Sequence, residues 1–203
     1  RDVERSRGLG DVYKRQDMSK FKGKAIAQAI GTDYFTLLEL VPKRGVDLEI
    51  QDTVYIGKGK RDKIYKVLGK LDYENLTATS RIELEYSIRE IVKNNEEKFV
   101  EFFNTAGAIS TRLHKLELIP GIGKKYMWEI VEARKEKPFE SFEDITKRIP
   151  SSNNPAEMIV NRVKQELDTT TAKKGKKKYY LFTPIPKAQK KHRNPRNSRN
   201  QRK

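Results

Sequence analysis

The sequence predicts an α+β protein in which a small antiparallel β-barrel or curled sheet is followed by an all-helical domain. Three observations support this order. Short runs rich in β-branched and aromatic residues, separated by polar turns, occupy residues 32–78. Apolar residues then recur at helical spacing from about residue 80 onward. The last residues are strongly basic and show no apolar periodicity.

Composition excludes several classes of protein. The chain has 203 residues and no cysteine, which excludes disulfides, iron–sulfur clusters and thiolate zinc sites. Its two histidines, His114 and His192, lie far apart, so we expect no histidine-based metal site and no cofactor. No apolar run reaches the ~20 residues that cross a bilayer, and no apolar segment follows the first arginines as in a signal peptide. We therefore expect a cytoplasmic protein without a membrane span.

The positive charge is concentrated at the C-terminal end. Residues 173–203 hold 13 Lys and Arg and no Asp or Glu, which leaves 31 basic and 28 acidic residues in the rest of the chain. This distribution favours a polyanionic partner, because each neutralised phosphate releases counterions; the alternative is a cationic tail without a specific target. Residues 185–203 are predicted to be a disordered basic tail. Its candidate electrostatic contacts are Lys187, Lys190, Lys191, Arg193, Arg196 and Arg199.

Residues 1–31 are predicted to be a flexible N-terminus. Residues 1–16 show neither a helical nor a strand period, and their string GLGDVYKRQ resembles a translated sequencing-adaptor remnant. We therefore predict that this stretch is partly non-native and lies outside the fold. Residues 17–31 are predicted to form a short helix or to remain flexible.

Residues 32–78 are predicted to form the sheet, completed by a returning strand at residues 178–184. Turn signals such as Pro42-Lys43-Arg44-Gly45 separate the runs. The candidate strands are residues 34–41, 48–51, 53–57 and 63–71.

Helices are predicted from residue 79 to residue 168. Residues 79–110 carry apolar side chains at helical spacing and are predicted to be connecting helices, with their phenylalanines in the core rather than stacked on bases. Residues 111–168 are predicted to form a separate domain. In it, Ser141 is a good N-cap and Pro155 suits a first helical position. The predicted helices of this domain are residues 111–117, 124–135, 141–149 and 155–167.

The segment Pro120-Gly121-Ile122-Gly123-Lys124-Lys125 carries the functional argument. Its glycines permit positive φ and close approach of a ligand to the backbone, and Ile122 is placed to fill the space between two helices. The helix that follows begins with unsatisfied amides and a partial positive charge, to which Lys124 and Lys125 add two formal charges. This arrangement predicts a phosphate site with little sequence selectivity. The alternative is a compact helix–helix turn without a ligand.

The segment resembles the helix-hairpin-helix motif of repair, replication and recombination proteins. The four predicted helices resemble a tandem pair of such hairpins, of which the second, with its turn at 149–155, is implied to be structural. The stretches LELIPGIGKKYMWEIVEARKEKPFESFEDI and EEKFVEFFNTAGAISTRLHKLEL are similar to an archaeal family of uncharacterised proteins, domain of unknown function 655. That resemblance covers residues 34–186. It implies an OB-like barrel joined to a helix-hairpin-helix domain at residues 111–168, and binding of nucleic acid.

An OB-like sheet offers a second candidate site. Such barrels hold single strands by stacking bases on aromatic rings, and the candidates here are Tyr34, Tyr55 and Tyr65. Placement of these rings in the barrel core is an equally good reading of the sequence.

No catalytic constellation is found in the sequence, so we expect a protein that is not an enzyme. The Gly57-Lys58-Gly59-Lys60 run lacks the spacing of a phosphate-binding loop, and His114 stands without a triad partner. Three functions remain: binding of RNA, including a ribosomal or other ribonucleoprotein partner; DNA binding as a repair or replication accessory; and a protein–protein adaptor whose hairpin domain is structural. The first is the preferred hypothesis. The oligomeric state is not predicted.

Overall fold

An antiparallel sheet forms the N-terminal half of the computed structural model, which describes residues 5–8, 13–14, 25–149, 154–168 and 179–185. Its strands are β1 (Arg5–Gly8), β2 (Tyr13–Lys14), β3 (Ala25–Gly31), β4 (Leu37–Pro42), β5 (Thr53–Tyr55) and β6 (Ile64–Lys70). The strand order is β5-β1-β3-β4-β6, with β2 paired to the start of β3.

The sheet is open in the part of the chain that the structure describes. β5 and β6 are its two edges, and no pairing between them closes a barrel. A closed barrel requires every strand to be hydrogen-bonded on both sides, which a three-residue β5 at one edge does not supply. Of the two predicted forms, a small barrel or a curled sheet, the described residues show a small, open antiparallel sheet.

The sheet has two apolar faces because successive side chains of a strand point in opposite directions. Ile30 and Leu37 belong to the core shared with the helices, whereas Ala29 and Leu38 belong to a second cluster on the other face. The β4–β6 pairing contains register shifts, one beside Gly69, whose φ of +158° suits glycine. Irregularities of this kind bend a strand and increase its local twist.

Among the described residues, five helices follow the sheet, with a short β-hairpin between the second and third. The helices are α1 (Ala78–Asn94), α2 (Glu96–Thr105), α3 (Lys124–Glu136), α4 (Phe142–Arg148) and α5 (Pro155–Leu167). The hairpin pairs β7 (Ala108–Ser110) with β8 (Leu113–His114), and 3₁₀ turns occur at Tyr73–Asn75 and Leu116–Leu118. The predicted connecting helices at 79–110 are confirmed as α1 and α2, except that residues 108–110 form β7, and the helices predicted at 124–135, 141–149 and 155–167 are confirmed to within a few residues. No helix among the described residues is long and apolar enough to cross a membrane.

Sheet and helices share one core. A single buried cluster contains Ile30 and Leu37 of the sheet together with apolar residues of all five helices. The fully buried Gln28 adds a polar link, because its Nε2 donates to the Asn75 carbonyl at 3.0 Å and its Oε1 accepts from the Thr77 amide at 2.9 Å. Thr77 is also the N-cap of α1, so this link fixes the helix start against the sheet.

The predictions for the N-terminal part of the chain are wrong in three places. β1 lies in the stretch that was excluded from the fold, and it pairs with both β3 and β5. β3 replaces the helix or flexible segment predicted at 17–31, because pairing with β1 and β4 overrides the helical preference of its alanines. Residues 48–51 form a turn rather than a strand, with Gln51 at φ +69°.

The predicted helix at 111–117 is also wrong. Residues 113–114 pair with β7, and the 3₁₀ turn at 116–118 follows directly. The His114 amide donates to Glu117 Oε2 at 2.9 Å, and the Leu116 amide donates to His114 Nδ1 at 3.2 Å. The amides of His114 and Leu116 thus donate to side chains, whereas in a helix they would donate to backbone carbonyls.

The returning strand predicted at 178–184 is not formed by the described residues 179–185, which make bends. The Glu166 carboxylate of α5 accepts from the amides of Leu181, Phe182 and Thr183 at 2.7, 3.0 and 2.9 Å. Phe182 packs edge-on against the rings of Phe99 and Phe102 of α2. The segment therefore docks on the helices instead of extending the sheet.

Candidate functional site

The turn before α3 alternates buried and exposed residues. Ile119 and Ile122 are buried in the shared core, and the Ile122 amide donates to the Ile119 carbonyl at 3.1 Å. Gly121 between them is exposed and has φ +91°, which suits glycine. The two isoleucines anchor the turn and leave its tip and the start of α3 at the surface.

The first turn of α3 has no capping side chain, and its first backbone amides have no hydrogen-bond acceptor among the described residues. Gly123 is its N-cap with φ −84° and ψ 177°, and no side chain caps the helix. Within the described residues, the amides of Gly123, Lys124 and Lys125 have no hydrogen-bond acceptor, and the Met127 amide is bonded to the Gly123 carbonyl at 2.9 Å. These amides and the partial positive charge of the helix end are available to an anion.

The fold itself does not require glycine at position 123. Its φ is one that any residue adopts, and a Cβ built there meets no atom within 4 Å. A serine, aspartate or asparagine at this N-cap would stabilise the helix better than glycine does, by a few tenths of a kcal/mol. The glycine therefore leaves the backbone at the start of α3 without a side chain that could cap or cover it.

Lysines and one aromatic ring surround the open end. Lys124 and Lys125 are exposed, and the Lys125 ammonium, with a side chain 90% accessible, lies 3.9 Å from the Glu129 carboxylate. Trp128, one helical turn beyond the lysines, is 58% exposed. The opposite face of α3 is buried through Tyr126, Met127 and Ile130.

The other four helices each neutralise their first turn. Thr77, Ser141 and Asn154 cap α1, α4 and α5 with side-chain oxygens. α2 lacks a side-chain cap but begins with Glu96 and Glu97. Only α3, among the described helices, lacks both a side-chain cap and an acidic residue in its first turn. Its two lysines, each adverse by roughly 0.3–1 kcal/mol, make that end more positive still.

The short segment that leads into the turn is held by two side chains. His114 accepts from the Leu116 amide through Nδ1, and burial, with a smaller contribution from the Arg134 charge, lowers the pKa of this imidazole. The Arg134 guanidinium donates to the Phe103 carbonyl at 2.8 Å, and burial lowers its pKa. His114 therefore acts here as a neutral acceptor in a structural role.

Arg162 and Glu166 form a buried pair on α5 that sequence reasoning missed. The side chains are 11% and 1% exposed, and the guanidinium lies 2.8 Å from the carboxylate. Arg162 also donates to the carbonyls of Leu118, before the turn, and Tyr179, in the docked C-terminal segment. The i,i+4 spacing of the pair was visible in the sequence, but its burial was not.

The three candidate stacking tyrosines lie in different settings. Tyr34, in the β3–β4 loop, is 56% exposed, and Tyr65, on β6, is 61% exposed. Tyr55 is half-buried, its hydroxyl accepts from the Gly59 amide at 3.1 Å, and its ring lies against Gly57. The six cations proposed for the tail, Lys187, Lys190, Lys191, Arg193, Arg196 and Arg199, lie outside the described residues.

Comparison with known proteins finds that the chain is similar to archaeal proteins. The family model described as protein of unknown function (DUF655) matches residues 9–184. The uncharacterized protein MJ0038 of Methanocaldococcus jannaschii is 50% identical over 157 residues, which are 77% of this chain and 70% of that protein. The crystal structure of Af1531 from Archaeoglobus fulgidus, also of this family, has a TM-score of 0.77 at 42% identity and covers 89% of this chain and 99% of its own.

Proposed function

The chain belongs to the DUF655 family, and we propose that this member binds nucleic acid, with RNA as the preferred partner, and catalyses no reaction. In this proposal the phosphate backbone is held by Gly121, Ile122, Gly123, Lys124 and Lys125. The cation-rich sequence that follows residue 185 adds non-specific attraction.

The open first turn of α3 is the observation that carries this proposal. It combines free amides, two lysines and a glycine that the fold does not need. A phosphate oxygen satisfies amides of this kind and offsets the positive helix end at the same time. No other helix start in the described residues offers this combination.

We assign the turn and α3 to a helix-hairpin-helix motif whose first helix is shortened to the 3₁₀ turn at Leu116–Leu118. α4 and α5 form the second, structural hairpin in this assignment. Its support is that Asn154 already caps α5 and that the Arg162–Glu166 pair is buried. The curled sheet is assigned as an OB-like module with open edges.

Amides and ammonium groups read no base edge, so the hairpin is expected to bind different sequences similarly. We expect structured RNA, such as that of a ribonucleoprotein, to compete best for the protein. Equal competition by duplex DNA would instead favour a DNA repair or replication accessory. Binding that does not weaken with added salt would favour a protein adaptor, because phosphate contacts weaken steeply as salt rises.

The test is the substitution of Lys124→Glu together with Lys125→Glu. We expect the affinity for a labelled structured RNA to fall by about tenfold or more at moderate salt, because two phosphate contacts are replaced by repulsion. The slope of log affinity against log salt becomes shallower by about 1.4 to 1.8. Fluorescence anisotropy over a salt series measures both quantities, and Trp128, the only tryptophan of the chain, reports contact near α3 by its own emission.

The matched control places the same charge change at the other end of α3. Lys135 and Lys137 are each 2.8 Å from a glutamate, and their replacement by glutamate changes the net charge equally. If both double variants lose the same affinity and slope, the effect is one of overall charge and the hairpin proposal fails.

A further inference from the structure

The loop between β3 and β4 turns one aromatic ring inward and the next one outward. The Gly31 amide donates to the Thr36 carbonyl at 2.9 Å, and the Phe35 amide donates to the Gly31 carbonyl at 3.0 Å. Phe35 has φ +52°, which costs roughly 1–2 kcal/mol for a residue with a side chain, and its ring is fully buried, 6.1 Å from that of Phe99. The conformation that buries Phe35 leaves its neighbour Tyr34 exposed at the loop tip.

A groove of about 430 Å³ opens beside Tyr34. Its volume lies within the range of small-ligand pockets, roughly 300–1,000 Å³. The described residues that line it include three apolar side chains, Leu38, Ile56 and Val67. Polar and charged groups also line it, namely Asp33, Tyr34, Arg61 and Lys70.

The charges around the groove suit a polyanion with a planar group. The Lys98 ammonium lies 5.4 Å from the centre of the Tyr34 ring and donates to the Asp33 carbonyl, so it holds one side of the ring in place. The Arg61 guanidinium, fixed by a 2.9 Å bond to the Gly57 carbonyl, and the exposed Lys70 add two cations at the groove. A base stacked on the exposed part of Tyr34 would have these cations near its phosphates.

Asp33 supplies an acceptor that the fold does not use. Its Oδ2 is out of contact with solvent and has no hydrogen-bond partner among the described residues. A buried acceptor without a donor is costly, by about 1–3 kcal/mol or more for a charged group, and calls for an explanation. A donor brought by a ligand removes that cost if the Asp33 side chain turns toward the groove on binding. Amino-bearing base edges offer such donors, whereas the N–H of uracil is flanked by carbonyls that a carboxylate repels.

The C-terminal segment reaches the same groove. Glu166 holds Leu181, Phe182 and Thr183, and Pro184, the next residue, lines the groove. Ile185 is 75% exposed, and the sequence beyond it carries eight Lys and Arg and no acidic residue in 187–203. The cation-rich sequence thus starts within a few residues of the groove, which raises its effective concentration for a strand bound there.

We propose that this groove binds an unpaired base of the RNA, such as one in a loop of a structured RNA, stacked on Tyr34, and prefers bases with an exocyclic amino group through Asp33. This inference rests on the proposed function, since it specifies the form of nucleic acid that the protein holds. Tyr55, whose ring is covered by Gly57, and Tyr65, which does not line the groove, have no part in the contact.

The test measures binding of labelled oligonucleotides of adenosine, cytidine and uridine of equal length to the full chain. We expect the adenosine and cytidine strands to bind about tenfold more tightly than the uridine strand, because one additional hydrogen bond to a charged group gives a difference of about that size. Tyr34→Ala lowers all three affinities by about tenfold, whereas Tyr34→Phe, which keeps the ring, leaves them within about twofold. Asp33→Asn brings the three affinities together, because the amide also donates to the uracil carbonyls.

The melting temperature of each variant shows whether a loss of binding reflects unfolding. The double variant Lys124→Glu with Lys125→Glu separates the groove proposal from the hairpin proposal. If Tyr34→Ala leaves every affinity unchanged while the lysine variant binds weakly, the groove is overturned and the hairpin stands. If uridine binds as well as adenosine and Asp33→Asn changes nothing, the base preference is overturned. If neither the groove nor the lysine variants lose affinity, both proposals fail.

Discussion

Helices α3 and α5 both lie in the helical part of the molecule, but their first turns are built differently. The Asn154 side chain of α5 accepts from the amides of Ala156 and Glu157 at 3.0 and 3.4 Å. α5 also begins with Pro155, which has no amide hydrogen to satisfy, and its first turn contains the acidic Glu157. α3 begins with Gly123, no cap and two lysines. The first amides of α5 are therefore satisfied by residues of the chain itself, whereas those of α3 are not.

Under the proposed function, the difference separates a structural helix start from one adapted to a ligand. In α5 the capping groups stabilise the helix whether or not anything binds. In α3, if the proposal holds, comparable stabilisation is gained only when an external anion reaches the amides, so binding and stability would be coupled. The capped helix also supports the open one, because Arg162 of α5 bonds the Leu118 carbonyl that precedes the turn.

The largest effect is expected when that support is removed. Arg162→Met leaves the buried Glu166 carboxylate without its cation and the Leu118 carbonyl without its donor. We expect a loss of about 3–5 kcal/mol in the free energy of unfolding. Chemical denaturation measures it. A loss below about 1 kcal/mol would show that the pair does not hold α5 against the segment that precedes the turn.

A cap at α3 is expected to change stability and binding in opposite directions. Gly123→Asp gives α3 the type of start that α5 has, and we expect it to raise the free energy of unfolding by about 0.5–1 kcal/mol. The carboxylate occupies the amides and repels phosphate, so RNA affinity falls by about tenfold. Thermal melting and anisotropy provide the two readouts. Unchanged affinity in a stabilised variant would contradict the assigned role of the turn.

The reverse change at α5 is expected to affect stability alone. Asn154→Ala removes the acceptor of two amides and should lower the free energy of unfolding by about 1 kcal/mol. RNA affinity, measured at a temperature where the variant is folded, should equal that of the unchanged protein. A selective loss of affinity would place the ligand at the second hairpin as well.

The smallest effect concerns pH. The pKa of His114 is lowered in the folded protein by burial and, to a lesser degree, by the Arg134 charge; the charges of Glu117 and Lys115 act in opposite directions. The unfolded chain therefore binds a proton more readily, so the contribution of this residue to stability is complete above about pH 6.5 and is lost as pH falls below it. We expect His114→Asn, whose Oδ1 can replace Nδ1 as acceptor without titrating, to flatten the fall in melting temperature between about pH 7 and pH 5. Parallel curves for both proteins would remove His114 from the support of the turn.

Sequence reasoning was most accurate where short segments carry their own signals. Ser141, Pro155 and the turn at 120–123 mark the starts of α4, α5 and α3 because capping and turn preferences act over a few residues. It was wrong at β3, where strands distant in the sequence took the backbone groups, and at 111–117, where β7 and the nearby His114 and Glu117 side chains did so. The sequence also did not predict that Tyr34 is exposed and Phe35 is buried, since adjacent aromatic residues give no local sign of which one faces the core.

The sequence by itself determined where α3, α4 and α5 begin, that the start of α3 carries glycine and two lysines, and where the positive charge lies, because these properties depend on neighbouring residues. The tertiary structure decided which surfaces are covered, that the sheet is open among the described residues, and that Arg162 and Glu166 are buried between the docked C-terminal segment and the turn. Burial and hydrogen-bond partnership depend on groups that are distant in the chain, and only folding brings those groups together.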